Sequence, residues 1–274
     1  MATNNAINNP GNSFLTPANN LSDVSTPATA RLNLFIPLSV NTGTVLAATA
    51  YGKEVICTGA AAYALTLPTV TSNANKFIDI FSQTTSGAIV TITPASGTIA
   101  GQSTLPIGSG DGVRIMNDGT NWWVLNTWVQ PTSFRATLSA VQSIADNSFT
   151  KVTYDGTQFN IGSFFDTATN NRYTPLLPGK YMFHHSAMFA GKAANPVVES
   201  SAIYKNGSLA IVSQTTINVN SQQISTQCSL LTAMNGSTDY IEGFVYQSSG
   251  ATNLNLTASS GNVTFLQGSR ISLF

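Results

Sequence analysis

The stretch NRYTPLLPGKYMFHHS, Asn171 to Ser186, decides the fold. Two short β-type runs, one ending in Tyr173-Thr174 and the next opening with Tyr181-Met182-Phe183, are split by Leu177-Pro178-Gly179. Alternate residues of a strand point to opposite faces. Tyr181 and Phe183 therefore share one face, and Met182 and His184 share the other. Large side chains on both faces are what a strand needs when it is covered on both sides.

Working outward, the same grammar recurs. FRATLS, FTKVTYD, SAIYKNG, LAIVSQTTI, STQCSLLTAM, DYIEGFVYQ, LNLTAS and RISLF are short, rich in β-branched and aromatic residues, and bounded by turn formers. Lys205-Asn206-Gly207 and Asn235-Gly236 supply turns. So many short strands in residues 131–274 predict a sandwich or jelly roll. Residues 41–130 form a second β module, with ALTLP, FIDIF, AIVTITP, GVRIMN and NWWVLNTWV as strands and Asn117-Asp118-Gly119 as a hairpin turn. Residues 1–40 are rich in Asn and Pro and read as an extended arm. Thr26-Pro27 caps a short helix there, over Ala28 to Leu34. The expected architecture is all-β: arm, β module, and C-terminal jelly-roll sandwich.

Charged residues make up 8% of the 274, against about 25% in ordinary soluble domains. Eleven basic and eleven acidic residues cancel, and no Lys/Arg cluster occurs, which disfavours nucleic acid as a partner. Near-zero net charge promotes association. The N-terminus lacks the basic and apolar blocks of a signal peptide, and no apolar run reaches the length of a membrane span. Cys57 and Cys228 are expected as buried free thiols.

Residues 134–274 resemble the complement globular-head and tumour-necrosis-factor-like jelly-roll family. The matching residues are Phe134, Ala136 and Ser139; the Phe165-Asp166 pair; Pro178, Gly179, Tyr181 and Phe183; the Lys205–Gly207 turn; and Asp239, Tyr240, Glu242, Val245, Tyr246 and Gln247. Two departures stand out: the turn NGSTDY is longer than the family's, and Gly243 interrupts a strand. The resemblance implies a homotrimer with Met182, His184 and Phe274 at the subunit interface. A second resemblance lies in NLSDVSTPATARLNL, where Asn20, Leu21, Ser22, Asp23, Val24, Ala30, Arg31, Asn33 and Leu34 match a segment of bacteriophage tail-fibre proteins. It implies a virion location, with Leu21, Asp23, Val24 and Arg31 anchoring the chain to tail, baseplate or head proteins. The head would then engage a host surface, glycan or protein, through loop residues such as Asn195, Asn218, Asn220, Ser249 and Asn253. A structural decoration or collar fibre, or a bacterial surface adhesin, is the alternative.

No catalytic constellation emerges, and no enzyme, cofactor or metal is expected. His184 and His185 are adjacent, so on a strand they face opposite ways. The acidic residues fall mostly in turns, where Asp caps or bends the chain. Gly108-Ser109-Gly110-Asp111-Gly112 lacks the Lys and helix of a phosphate loop and is expected as a β-turn. No repeat of fixed period marks a solenoid. Asn-x-Ser/Thr at Asn206, Asn235, Asn255 and Asn262 is expected by chance in such a composition. Trp122, Trp123 and Trp128 could stack on sugars, but a double Trp in a strand is expected to put one ring in the core.

Overall fold

The computed structural model describes residues 37–70, 74–85, 87–190, 197–217, 223–250, 254–258 and 263–273. The expected helix over 28–34 and most of the arm lie outside the described residues. Within the described residues, pairing is confined to two groups. Residues 38–128 build a five-stranded and a four-stranded sheet around one core, and residues 133–272 build a seven-stranded and a six-stranded sheet around another.

The first group departs from a simple hairpin module. Its strands Leu38–Val40, Thr44–Val45, Glu54–Cys57, Tyr63–Thr66, Lys76–Ser82 and Val90–Thr93 alternate between the two sheets as the chain advances. The first four each pair in parallel with the next strand of their own sheet. Val55 sits between Leu38 and Ile80, and Leu65 between Thr44 and Ile92. This is the winding of a short parallel solenoid. Its coils differ in length, so pairing repeats while the sequence does not. Leu105–Ile107, Gly112–Asn117 and Trp122–Trp128 close the module in antiparallel fashion. The last two are joined by the expected turn, with Gly119 at φ 96° and the Asp118 carboxylate accepting from the Thr120 and Asn121 amides. Val55, Leu65, Ile78, Ile80, Ile92 and Ile115 are completely buried. Each such side chain stabilises the fold by roughly 1.5–3 kcal/mol relative to its exposed form.

The second group is a jelly-roll-like sandwich. Pro178–Phe189 runs antiparallel between Ile224–Asn235 and Phe265–Ser272. In the facing sheet, Val197–Lys205 lies between Ser208–Ile217 and Ile241–Ser248. Tyr181 and Phe183 are fully buried, while Met182 is 42% exposed. Between the sheets Phe134 stacks on Tyr173 with ring centroids 4.2 Å apart. The Lys205–Gly207 turn is a tight hairpin: Lys205 pairs with Ser208, and Asn206 and Gly207 take φ of 54° and 76°. That two-residue geometry matches the right-handed twist of the strands it joins.

One boundary differs from expectation. Pro178 and Gly179 do not break the chain but already pair, with Asn235 and Met234; the turn precedes them. Gly179 has φ 148°, and a Cβ there would lie 2.3 Å from the Ser272 carbonyl oxygen. Glycine is needed because the last strand passes too close for any side chain.

The two groups are bound together. Asp111 sits in the expected turn, where its amide donates to the Gly108 carbonyl and its carboxylate accepts from the Gly108 amide. That carboxylate also pairs with Arg270 of the last head strand, with both side chains fully buried. Leu273, just past that strand, is part of the solenoid core.

Candidate functional site

The outer face of the seven-stranded sheet is one candidate. Its core-facing residues are fixed by alternation, so their neighbours must face out. Two adjacent rows cross five strands. In one, register places Ile161, Ser133, Ser269, Met182 and Leu231 side by side. In the other it places Phe159, Arg135, Gln267, His184 and Ser229. Ile161 is 52% exposed, Phe159 43% and Leu231 56%. In the first row the large apolar side chains stand at the flanks, with Ser133 and Ser269 between them. The result is a shallow depression of about 290 Å³ bordered by Phe159, Met182 and His184. Isolated exposed apolar residues need no explanation, but contiguous rows of them mark interaction surfaces.

The electrostatics of this face are one-signed. Arg135 lies 3.6 Å over the Phe265 ring and donates from Nη1 to Gln267 Oε1 at 2.6 Å. Its Nε is buried with no hydrogen-bond partner among the described residues. The His184 Nδ1 and Ser229 Oγ are 2.9 Å apart. Partial burial, and secondarily the Arg135 charge, push the His184 pKa down. Lys180 is the further cation of the face, and none of the named outward residues is acidic.

Other expected site residues fall elsewhere. Phe274, the anchor residues Leu21, Asp23, Val24 and Arg31, and the loop residues Asn195, Asn218, Asn220 and Asn253 lie outside the described residues. Ser249 is half-buried; its amide donates to Asp146 Oδ1 and Gln247 Oε1, and its hydroxyl is shielded. Trp122 is fully buried and stacks on Tyr51, whereas Trp123 is 50% exposed and held by a bond from Nε1 to Asp118 Oδ2. Trp128 tilts against Phe81 over Gly112, where a Cβ would meet the Phe81 ring at 2.6 Å.

His185 points away from His184 into the head core. Its Nδ1 faces the Ala202 carbonyl at 3.1 Å, and its Nε2 has no partner among the described residues. Burial pushes its pKa down to about 4, so it is neutral in the folded protein. The mid-strand Gly243 is explained here: a Cβ would lie 3.0 Å from Tyr154 Oη and 3.3 Å from His185 Nε2. Four carboxylates are paired with cations, Asp79 with Arg114, Glu242 with Lys151, Asp239 with Lys205 and Asp111 with Arg270. No group of three or more potential metal ligands occurs among the described residues. Cys57 and Cys228 are buried free thiols, and burial raises the Cys57 pKa to about 11.

No family model matches the chain, and no curated protein matches it. Solved structures similar to part of it include murine APRIL at pH 5.0, with 12% identity over 52% of this chain and 100% of that one, at a TM-score of 0.40. Eiger TNF from S. frugiperda is similar at 7% identity over 52% of this chain and 92% of that one, at a TM-score of 0.39. Likeness at this level says nothing of what the chain binds.

Proposed function

We propose that the chain is a homotrimeric fibre protein of a bacteriophage virion. Its N-terminal arm, through Leu21, Asp23, Val24 and Arg31, anchors it to tail, baseplate or head proteins. Its head binds a host-cell surface, glycan or protein. The observation that carries the self-association is the row Ile161–Ser133–Ser269–Met182–Leu231: apolar flanks around small uncharged residues, on a sheet face that the described residues of the single chain leave exposed. Sister copies supply matching apolar surface. Heterologous, ring-closing contacts of this kind exclude water from both sides of the Pro178–Phe189 strand. The low charge content and the tail-fibre-like segment at residues 20–34 support the virion location. A solenoid joined to a sandwich through a buried ion pair suits a stem carrying a binding head, and three linked heads raise weak contacts to useful avidity.

Mass by light scattering and adsorption of the purified protein to candidate host cells test the two halves of this reading. Three chains per particle and saturable adsorption are the expected results. A stable monomer removes the first half. Assembly without adsorption to any host leaves a purely structural fibre.

A further inference from the structure

Where solenoid and head meet, a cleft of about 600 Å³ opens beside the buried Asp111–Arg270 pair. The solenoid turns near Thr85 and Ser109 form one wall, the linker residue Gln130 crosses one end, and Ile161, Phe164 and Leu176 of the head form the other wall. Its volume falls within the range of small-molecule sites, about 300–1,000 Å³. Two glycines shape it. At Gly162 a Cβ would lie 2.7 Å from Phe164 Cε2, so the missing side chain lets the ring settle beside the backbone. At Gly110, with φ 83°, a Cβ would lie 2.6 Å from Gln130 Oε1, so the carboxamide lies over the turn at the cleft's edge.

The lining defines a ligand class. None of the lining residues is ionisable. The nearby Asp111 and Arg270 neutralise each other and are withdrawn from solvent. An anionic or cationic ligand would surrender its hydration without a counter-charge, which is costly. What the walls offer is an aromatic ring, aliphatic surface from Ile161 and Leu176, and neutral hydroxyl and amide groups from Thr85, Ser109 and Gln130. The hydroxyls of Thr84, Thr85 and Thr132 already donate, to the Ala88, Gly59 and Ile161 carbonyls at 2.7, 3.4 and 2.8 Å, so Thr85 is left to accept. A pyranose ring has the complementary surface, an apolar face of C–H groups and a rim of neutral hydroxyls.

We propose that this inter-module cleft binds a neutral disaccharide unit, with Phe164 against a ring face and Thr85, Ser109 and Gln130 bonding its hydroxyls. The assignment deepens the host-glycan reading above and rests on it for the source of the sugar. Both modules contribute, so the site exists only in the joined protein.

The test uses the full chain. Saturation-transfer NMR with lactose, maltose, cellobiose and N,N′-diacetylchitobiose is expected to reveal binding of at least one, and sialyllactose, the charged control, to bind no better. Ser109→Trp and, on a separate turn, Thr85→Trp fill the cleft and are expected to weaken that binding at least about tenfold with unchanged thermal unfolding. No binding by any of the neutral sugars, a preference for sialyllactose, or undiminished binding by both folded variants overturns the assignment. Cell adsorption separates the two readings. If wild type and both variants adsorb equally, host binding stands and the cleft is not its site. If wild type binds a disaccharide but no cell, host binding fails and the cleft stands.

Discussion

Asp111 and Arg270, 159 residues apart in the chain, close on each other in a two-point contact: Nη1 lies 2.6 Å from Oδ1 and Nη2 lies 2.8 Å from Oδ2, with neither side chain exposed. The contact ties a solenoid turn to the last head strand. It is completed by the Gly108 and Gln130 amides on the carboxylate and by the Gln130 and Pro178 carbonyls on the guanidinium. Removing one partner leaves the other charged and buried. Asp111→Ala or Arg270→Ala should therefore cost about 3–5 kcal/mol. The double variant should cost less than the sum, because neither charge is then stranded. Urea unfolding of the four proteins checks this, and additive losses would contradict it.

The outer face of the seven-stranded sheet makes a different prediction. Met182 and Leu231 are paired neighbours that are 42% and 56% exposed in the single chain, so charges there should leave its folding intact. If sister subunits cover the face, Met182→Lys or Leu231→Lys buries a further cation on a face that already carries Arg135 and Lys180 and whose named outward residues include no acid, at a cost of several kcal/mol. Light scattering should then report the mass of one chain, with the circular dichroism of the wild type. A mass that does not change would show that association, if any, uses another surface.

Much of the fold was legible because it rests on local chemistry. The alternation of Tyr181 and Phe183 against Met182 and His184, the Lys205–Gly207 hairpin and the Asn117–Gly119 turn are set by strand periodicity and by residues that tolerate positive φ. The solenoid winding was not legible, because the parallel partners of Val55 come from coils of unequal length and leave no period to detect. Asp111 was legible as a turn former, but its bond to Arg270 depends on a register that no local pattern encodes. The cleft at the module junction was hidden for the same reason: Ser109 and Phe164 come to line one cleft only once solenoid and sandwich are joined. Gly243, a blemish in the sequence of its strand, is accounted for only by the rings packed over it.

That packing can be tested directly. A methyl group at position 243 would press on Tyr154 Oη at 3.0 Å and on His185 Nε2 at 3.3 Å. Both are held in a core without slack, so Gly243→Ala should destabilise by about 1–3 kcal/mol. Tyr154→Phe removes the nearer atom, a buried hydroxyl without a hydrogen-bond partner among the described residues, and should be mild on its own. In the Gly243→Ala/Tyr154→Phe double variant part of the loss should be recovered, a coupling that denaturant unfolding resolves. Strict additivity would mean that the strain is relieved elsewhere.

His185 should make the fold less stable in mild acid. Its folded pKa is about 4, against an ordinary value of 6.5, and the cause is burial, only partly offset by the bond to the Ala202 carbonyl. With the folded value depressed, the unfolded chain binds the proton first as pH falls. The contribution is therefore fully present above pH 6.5 and is lost progressively as pH drops through that value towards 4. At about 1.4 kcal/mol per pKa unit, the whole loss is on the order of 3 kcal/mol. His185→Gln keeps a polar side chain of similar reach without the titration, so its stability should be flatter between those two pH values, even if it is lower at neutral pH. Unfolding free energies measured across that window for both proteins decide the matter. Equal slopes would mean that other groups carry the acid sensitivity and that the imidazole finds a way to accept its proton inside the fold.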